Sequence, residues 1–100
     1  MVRFFAENGN LRCAFSGSLN TLKCVELEKE LYTRIRADKL PVIFDMKDVD
    51  FIASAFLRIC LTVYKEAGKD RMTITNLQPA VLTVFKIAGF ADLVKGASSP

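Results

Sequence analysis

The chain has 100 residues, 51% of them hydrophobic, enough for one domain with a real core and no need of metal or disulfide staples. Its 14 basic and 11 acidic residues leave a net charge of +3, scattered rather than gathered into a stripe, which argues against nucleic-acid binding. There is no histidine, so the usual general base and the commonest transition-metal ligand are missing, and a binding module is a better starting point than an enzyme.

Val2 to Ala6 and Leu11 to Phe15 read as short antiparallel strands, joined through Glu7-Asn8-Gly9-Asn10, where Asn-Gly suits a tight hairpin. Ser16-Gly17-Ser18 should break the second strand, and Asn20 or Ser18 should cap the helix that follows, over about Leu19 to Ala37. In that helix Cys24, Leu27, Leu31 and Ile35 form the core stripe, flanked by Val25 and Tyr32, while Glu30 and Arg34 face water as a supporting pair. Pro41 pushes the chain out of the helical region. Val42, Ile43 and Phe44 then read as a central buried strand that stops at Asp45 and gives way to a polar turn.

Phe51 and Ile52 should dip back into the interior, and Ser54 opens a second helix with Phe56, Ile59, Cys60, Val63 and Ala67 inward. As its N-cap, the Ser54 hydroxyl would satisfy a free N–H; the same place also suits an anion or a phosphate. Gly68-Lys69-Asp70 is a turn, Met72 to Thr75 a short strand, and Pro79 sits in the first turn of a third helix with Val81, Val84, Phe85 and Ala88 on one face. Gly89 closes that helix and places Phe90 to fold back on Phe85. Asp92 to Lys95 suggests an edge strand, and Gly96 to Pro100 a mobile tail. The expected fold class is α/β: a mixed sheet of four to five strands, with an N-terminal antiparallel hairpin and helices packed against it.

Cys13, Cys24 and Cys60 lie in apolar surroundings and form no C-x-x-C pair, so buried free thiols in a reducing compartment are expected. No apolar run is long enough to cross a bilayer, and Glu7 comes too early for a signal peptide, so the reading is cytoplasmic, without membrane insertion. A thiol enzyme built on Cys60 lacks a neighbouring base. A phosphate-accepting receiver built on Asp45 fails because an Asn8-Gly9 turn stands where an acidic pair is needed, leaving Asp45, Asp48 and Asp50 to loop polarity and turn hydrogen bonds.

The hairpin, SGSLN before the first helix, VIFDMKDVDFIAS running into the second and NLQPAVLTVFKIAGF at the third resemble the STAS domain, the fold of bacterial anti-sigma factor antagonists. The resemblance implies one domain over residues 1–95 and a tail over 96–100. The family's Asp-Ser-Ser-Gly-Leu-Gly motif, whose first serine a partner kinase phosphorylates, falls on Ala53-Ser54-Ala55-Phe56-Leu57-Arg58, so only Ser54 and Leu57 match; G-x-L-D is Gly17-Ser18-Leu19-Asn20. By that resemblance Ser54 is the phosphorylation site, Asn20, Ala53, Leu57, Arg58 and Leu61 contact the partner, and the partner is an anti-sigma factor or serine protein kinase of the GHKL type that carries the nucleotide itself. The chain then needs no cofactor and is a monomer or weak dimer. An alternative keeps the fold and drops the switch: a scaffold, or a subunit of a lipid-transport or stress-signalling complex, as the changes at Ala53, Phe56 and Arg58 favour.

Overall fold

The computed structural model describes residues 2–68 and 70–90, in the order β1 (Val2–Glu7), β2 (Asn10–Leu19), α1 (Thr21–Asp38), β3 (Val42–Ile52), α2 (Ser54–Ala67), β4 (Met72–Thr75) and α3 (Pro79–Ile87). The expected turn at Lys69, edge strand at 92–95 and tail at 96–100 lie wholly or partly outside the described residues. The strands form one mixed sheet in the order β1-β2-β3-β4. β1 and β2 are antiparallel across an Asn8-Gly9 turn with φ of 53° and 77°, while β2–β3 and β3–β4 are parallel. Side chains alternate across the sheet, so Leu11, Cys13 and Phe15, Val42, Phe44 and Met46, and Met72 and Ile74 are buried on the helix side. Cys24, Leu27, Leu31 and Ile35 of α1, Phe56, Ile59, Cys60 and Val63 of α2, and Val81 and Phe85 of α3 complete one core cluster.

Both central strands are longer than expected. Ser16-Gly17-Ser18 stays in β2, and β3 runs through DMKDVD to Ile52 instead of turning at Asp45. Two one-residue bulges on β3 make this possible: Ala14 and Ser16 pair with Asp45 and Asp48, and Gly17 and Ser18 with Val49 and Phe51. Gly17, at φ 84°, takes a conformation closed to most side chains, and the Lys47 N–H at the first bulge is taken up by Asp45 Oδ1 at 3.1 Å. Two parallel strands lying side by side satisfy one another's backbone groups, which local turn propensity cannot match. The second bulge also turns Phe51 outward, 51% exposed, while Ile52 stays in the core.

α1 starts at Thr21, and Asn20 is its cap, its side-chain oxygen accepting the Lys23 N–H at 2.9 Å. Asn20→Ala is therefore expected to cost about 1 kcal/mol, read as a lower thermal midpoint with unchanged far-UV circular dichroism. Arg34 does not pair with Glu30; it bridges to Asp38 at 3.0 Å and lies over the Phe4 ring at 5.2 Å. Arg36 ties α1 to α2 through two bonds to Glu66, at 3.0 and 2.7 Å. In α3, Val81 and Phe85 are buried but Val84 and Ala88 face outward, because residues four apart hold one line on so short a helix. The predicted closure is present: Gly89 has φ 85°, the N–H groups of Gly89 and Phe90 bond to Lys86 and Phe85 carbonyls, and the Phe85 and Phe90 rings lie 6.5 Å apart.

Candidate functional site

The start of α1 and the start of α2 meet at the carboxyl ends of parallel strands β2 and β3, the end of an open α/β sheet where ligands and partners ordinarily bind. One backbone bond fixes the meeting: the Ala53 N–H donates to the Leu19 carbonyl at 2.9 Å, setting Asn20 and Ser54 on neighbouring helix entrances. The cap of α2 is Ala53, not Ser54, and its side chain offers no acceptor. Ser54 is instead the first helical residue. It is exposed, and its hydroxyl has no hydrogen-bond partner among the described residues. The Phe56 N–H already bonds the Ala53 carbonyl at 2.9 Å, which leaves the N–H groups of Ser54 and Ala55 as the free donors of the first turn.

Leu57, Arg58 and Leu61 follow along the same side of α2. Arg58 is exposed, whereas Leu57 and Leu61 are half-buried, and Leu57 packs against the core. Sequence reasoning missed several apolar side chains on the surface, among them Phe51, and Leu22 and Val25 of α1, which are 67% and 64% exposed. Leu22 had a usable signal, since it sits opposite the Cys24–Ile35 stripe; Phe51 had none, because its direction depends on a bulge.

A second polar cluster lies on the sheet face away from the helices. Asp45, on β3, accepts from Arg12 Nη1 of β2 at 2.8 Å, from Asn76 Nδ2 beyond β4 at 3.1 Å and from the Lys47 N–H, while Arg12 Nε also donates to Glu7 at 2.8 Å. Burial by itself raises the Asp45 pKa, but the bonds from Asn76, Lys47 and Arg12 outweigh it and hold the carboxyl below its ordinary value. Asp45 is thus a clasp for β2, β3 and the end of β4 rather than a loop residue. The thiols offer no comparable site: burial pushes Cys13 up to about 12 and Cys60 well above its ordinary value, away from the reactive thiolate. Among the described residues no group of three or more His, Cys, Asp or Glu side chains is placed to hold a metal ion, and no helix is long and apolar enough to cross a membrane.

A sequence profile of the STAS domain matches residues 7–99. The chain belongs to the STAS domain family. It is 31% identical over 94 residues to BtrV of Bordetella bronchiseptica, a protein named as an anti-sigma factor antagonist, spanning 92% of this chain and 81% of BtrV. The fold is similar to that of an anti-sigma factor antagonist from Mycobacterium paratuberculosis, with a TM-score of 0.85, 20% identity, and coverage of 99% of this chain and 86% of that one. It is also similar to SpoIIAA in its unphosphorylated form, with a TM-score of 0.80, 16% identity, and coverage of 99% and 90%. The phosphorylated form of the Bacillus SpoIIAA gives 0.70 at 14% identity, covering 99% and 93%. This STAS domain therefore carries an anti-sigma factor antagonist-like fold. Its departures at the serine motif have local physical roles: the Phe56 ring is fully buried, edge-on to Phe15 at 5.1 Å, and Ala53 caps α2 through its carbonyl alone.

Proposed function

We propose that this STAS domain is an anti-sigma factor antagonist-like regulatory binding protein of the cytoplasm, switched by phosphorylation of Ser54. Its partner is a serine-kinase anti-sigma factor of the GHKL type. The observation that carries the reading is the exposed, unbonded hydroxyl at the first position of a 14-residue helix. In the transfer, Ser54 Oγ forms a bond to the γ-phosphorus of the partner's ATP, the bond from that phosphorus to the β,γ-bridging oxygen breaks, and the hydroxyl proton leaves to a base on the kinase. The product adds up to about two negative charges where helix polarity and the free Ser54 and Ala55 N–H groups accept them, so the fold survives. The partner meets a bulky dianion in place of a hydroxyl and lets go. Asn20, Ala53, Leu57, Arg58 and Leu61 complete the docking surface.

Ser54→Asp is expected to weaken binding to the kinase partner while moving the thermal midpoint by no more than about 2 °C, because an acid in the first helical turn is tolerated. Titration calorimetry and a thermal melt check the two halves separately. Equal affinity of wild type and variant, or the absence of phosphate on Ser54 after incubation with kinase and ATP, refutes the switch. The exposed Leu22, Val25 and Phe51 favour a second reading, a scaffold or subunit of a lipid-transport or stress-signalling assembly that docks without any switch. That reading predicts a stable complex indifferent to position 54.

A further inference from the structure

β1 is an edge strand: it pairs with β2 on one side and, among the described residues, with no strand on the other. Such an edge presents a row of unpaired N–H and C=O groups, which proteins usually blunt with a proline, a bulge or a repelling charge. VRFFAE has no proline, and its ladder to β2 runs from Val2–Phe15 to Glu7–Asn10 without a register shift. The two-residue turn at Asn8-Gly9 closes on a hydrogen-bonded pair, so by the alternation of an antiparallel ladder the odd residues Arg3, Phe5 and Glu7 point their backbone groups at β2. The even residues Phe4 and Ala6 point theirs outward.

We propose that two copies of this chain join β1 to β1, antiparallel about a two-fold axis through Phe5, into one continuous sheet with four described strands from each copy. In that register Phe4 pairs with Ala6 of the second copy through the outward backbone groups, and Ala6 with Phe4. Phe5 then meets Phe5, and Arg3 meets Glu7 on both sides of the axis, on the sheet face away from the helices. The strand's charge pattern selects this pairing. Other registers with the same backbone geometry set Arg3 against Arg3, set Glu7 against Glu7, or leave both charges unmatched, and like charges directly opposite are unfavourable. Arg3 has no ion pair among the described residues, and only one Glu7 oxygen is used, by Arg12. On the helix side Phe4 lines an open groove of about 520 Å³ with Glu30, Thr33 and Arg34 of α1, and in this register Phe4 of the second copy stands opposite the small side chain of Ala6. Both Ser54 hydroxyls lie away from β1, so the dimer leaves that site open on each copy.

Sedimentation equilibrium of the full chain over a wide concentration range tests this, with a reversible monomer–dimer equilibrium expected. Arg3→Glu should weaken it about tenfold or more by setting acid against acid twice, and Arg3→Glu combined with Glu7→Arg should restore it to within about threefold. Ala6→Pro removes one outward donor while sparing the β1–β2 ladder, and should abolish the dimer with the circular dichroism unchanged. Phe5→Cys should cross-link two chains under mild oxidation, since directly opposed non-hydrogen-bonded positions lie within disulfide reach and Cys13, Cys24 and Cys60 are all buried. Arg3→Cys, four residues from its own counterpart's level, should not. A wild type that stays monomeric throughout, a dimer indifferent to Ala6→Pro, or a charge swap that fails to rescue overturns the proposal, and none of these bears on the switch at Ser54.

Discussion

Phe56→Ala is expected to destabilise the domain by roughly 3–5 kcal/mol, the usual cost of deleting a fully buried ring. The ring is inaccessible to solvent and packs edge-on to Phe15 at 5.1 Å and tilted against Phe44 at 6.0 Å, with Phe15 and Phe44 themselves 4.9 Å apart. Removing it leaves a void between α2, β2 and β3 that neither strand can close, since each is held in register by its neighbours. At about 4–8 °C per kcal/mol for a domain of this size, the thermal midpoint should fall by at least about 12 °C. Phe56→Gly, which restores the residue of the STAS serine motif, should cost about 1 kcal/mol more through helix propensity. Scanning calorimetry checks both, and a fall of less than about 5 °C would show that the ring is not what joins α2 to the sheet.

Asp45→Ala should be the next most costly change, at about 2 kcal/mol, because Arg12, Asn76 and the Lys47 N–H lose their common acceptor at once. The same clasp gives a pH dependence with a definite sign. Asp45 titrates lower in the folded chain than in the unfolded one, so its contribution is fully present above the unfolded value of about 3.9 and is lost as pH falls through the lower folded value. Denaturant titrations at stepped acid pH should therefore show wild-type stability falling more steeply than that of Asp45→Asn, whose side chain does not titrate. Parallel curves would place the acid sensitivity elsewhere.

The order of elements was legible in the residues, because apolar spacing along one helix or strand is a local property. Asn8-Gly9 required a hairpin, Cys24 to Ile35 required one buried helix face, and Gly89-Phe90 required the closure that is found. Ser54 was legible as a helix-entrance serine, though its cap role passed to Ala53, one residue earlier. Polar DMKDVD misled because alternation is broken there by bulges, which exist only where a second strand lies alongside. Phe51 reads as inward from its apolar neighbours for the same reason, and stands outward.

What the sequence determined by itself is the order of strands and helices and the place of Ser54 at a helix entrance, since hydrophobic periodicity, turn residues and caps act within a few positions of one another. The tertiary structure decided the length of β2 and β3, the outward turn of Phe51, the clasp at Asp45 and, among the described residues, the open edge at β1. Each of these depends on which strand lies beside which. Asp45 and Asn76 stand 31 positions apart in the chain, yet bond at 3.1 Å. No local pattern encodes a partner that far away; parallel pairing across the sheet brings it there.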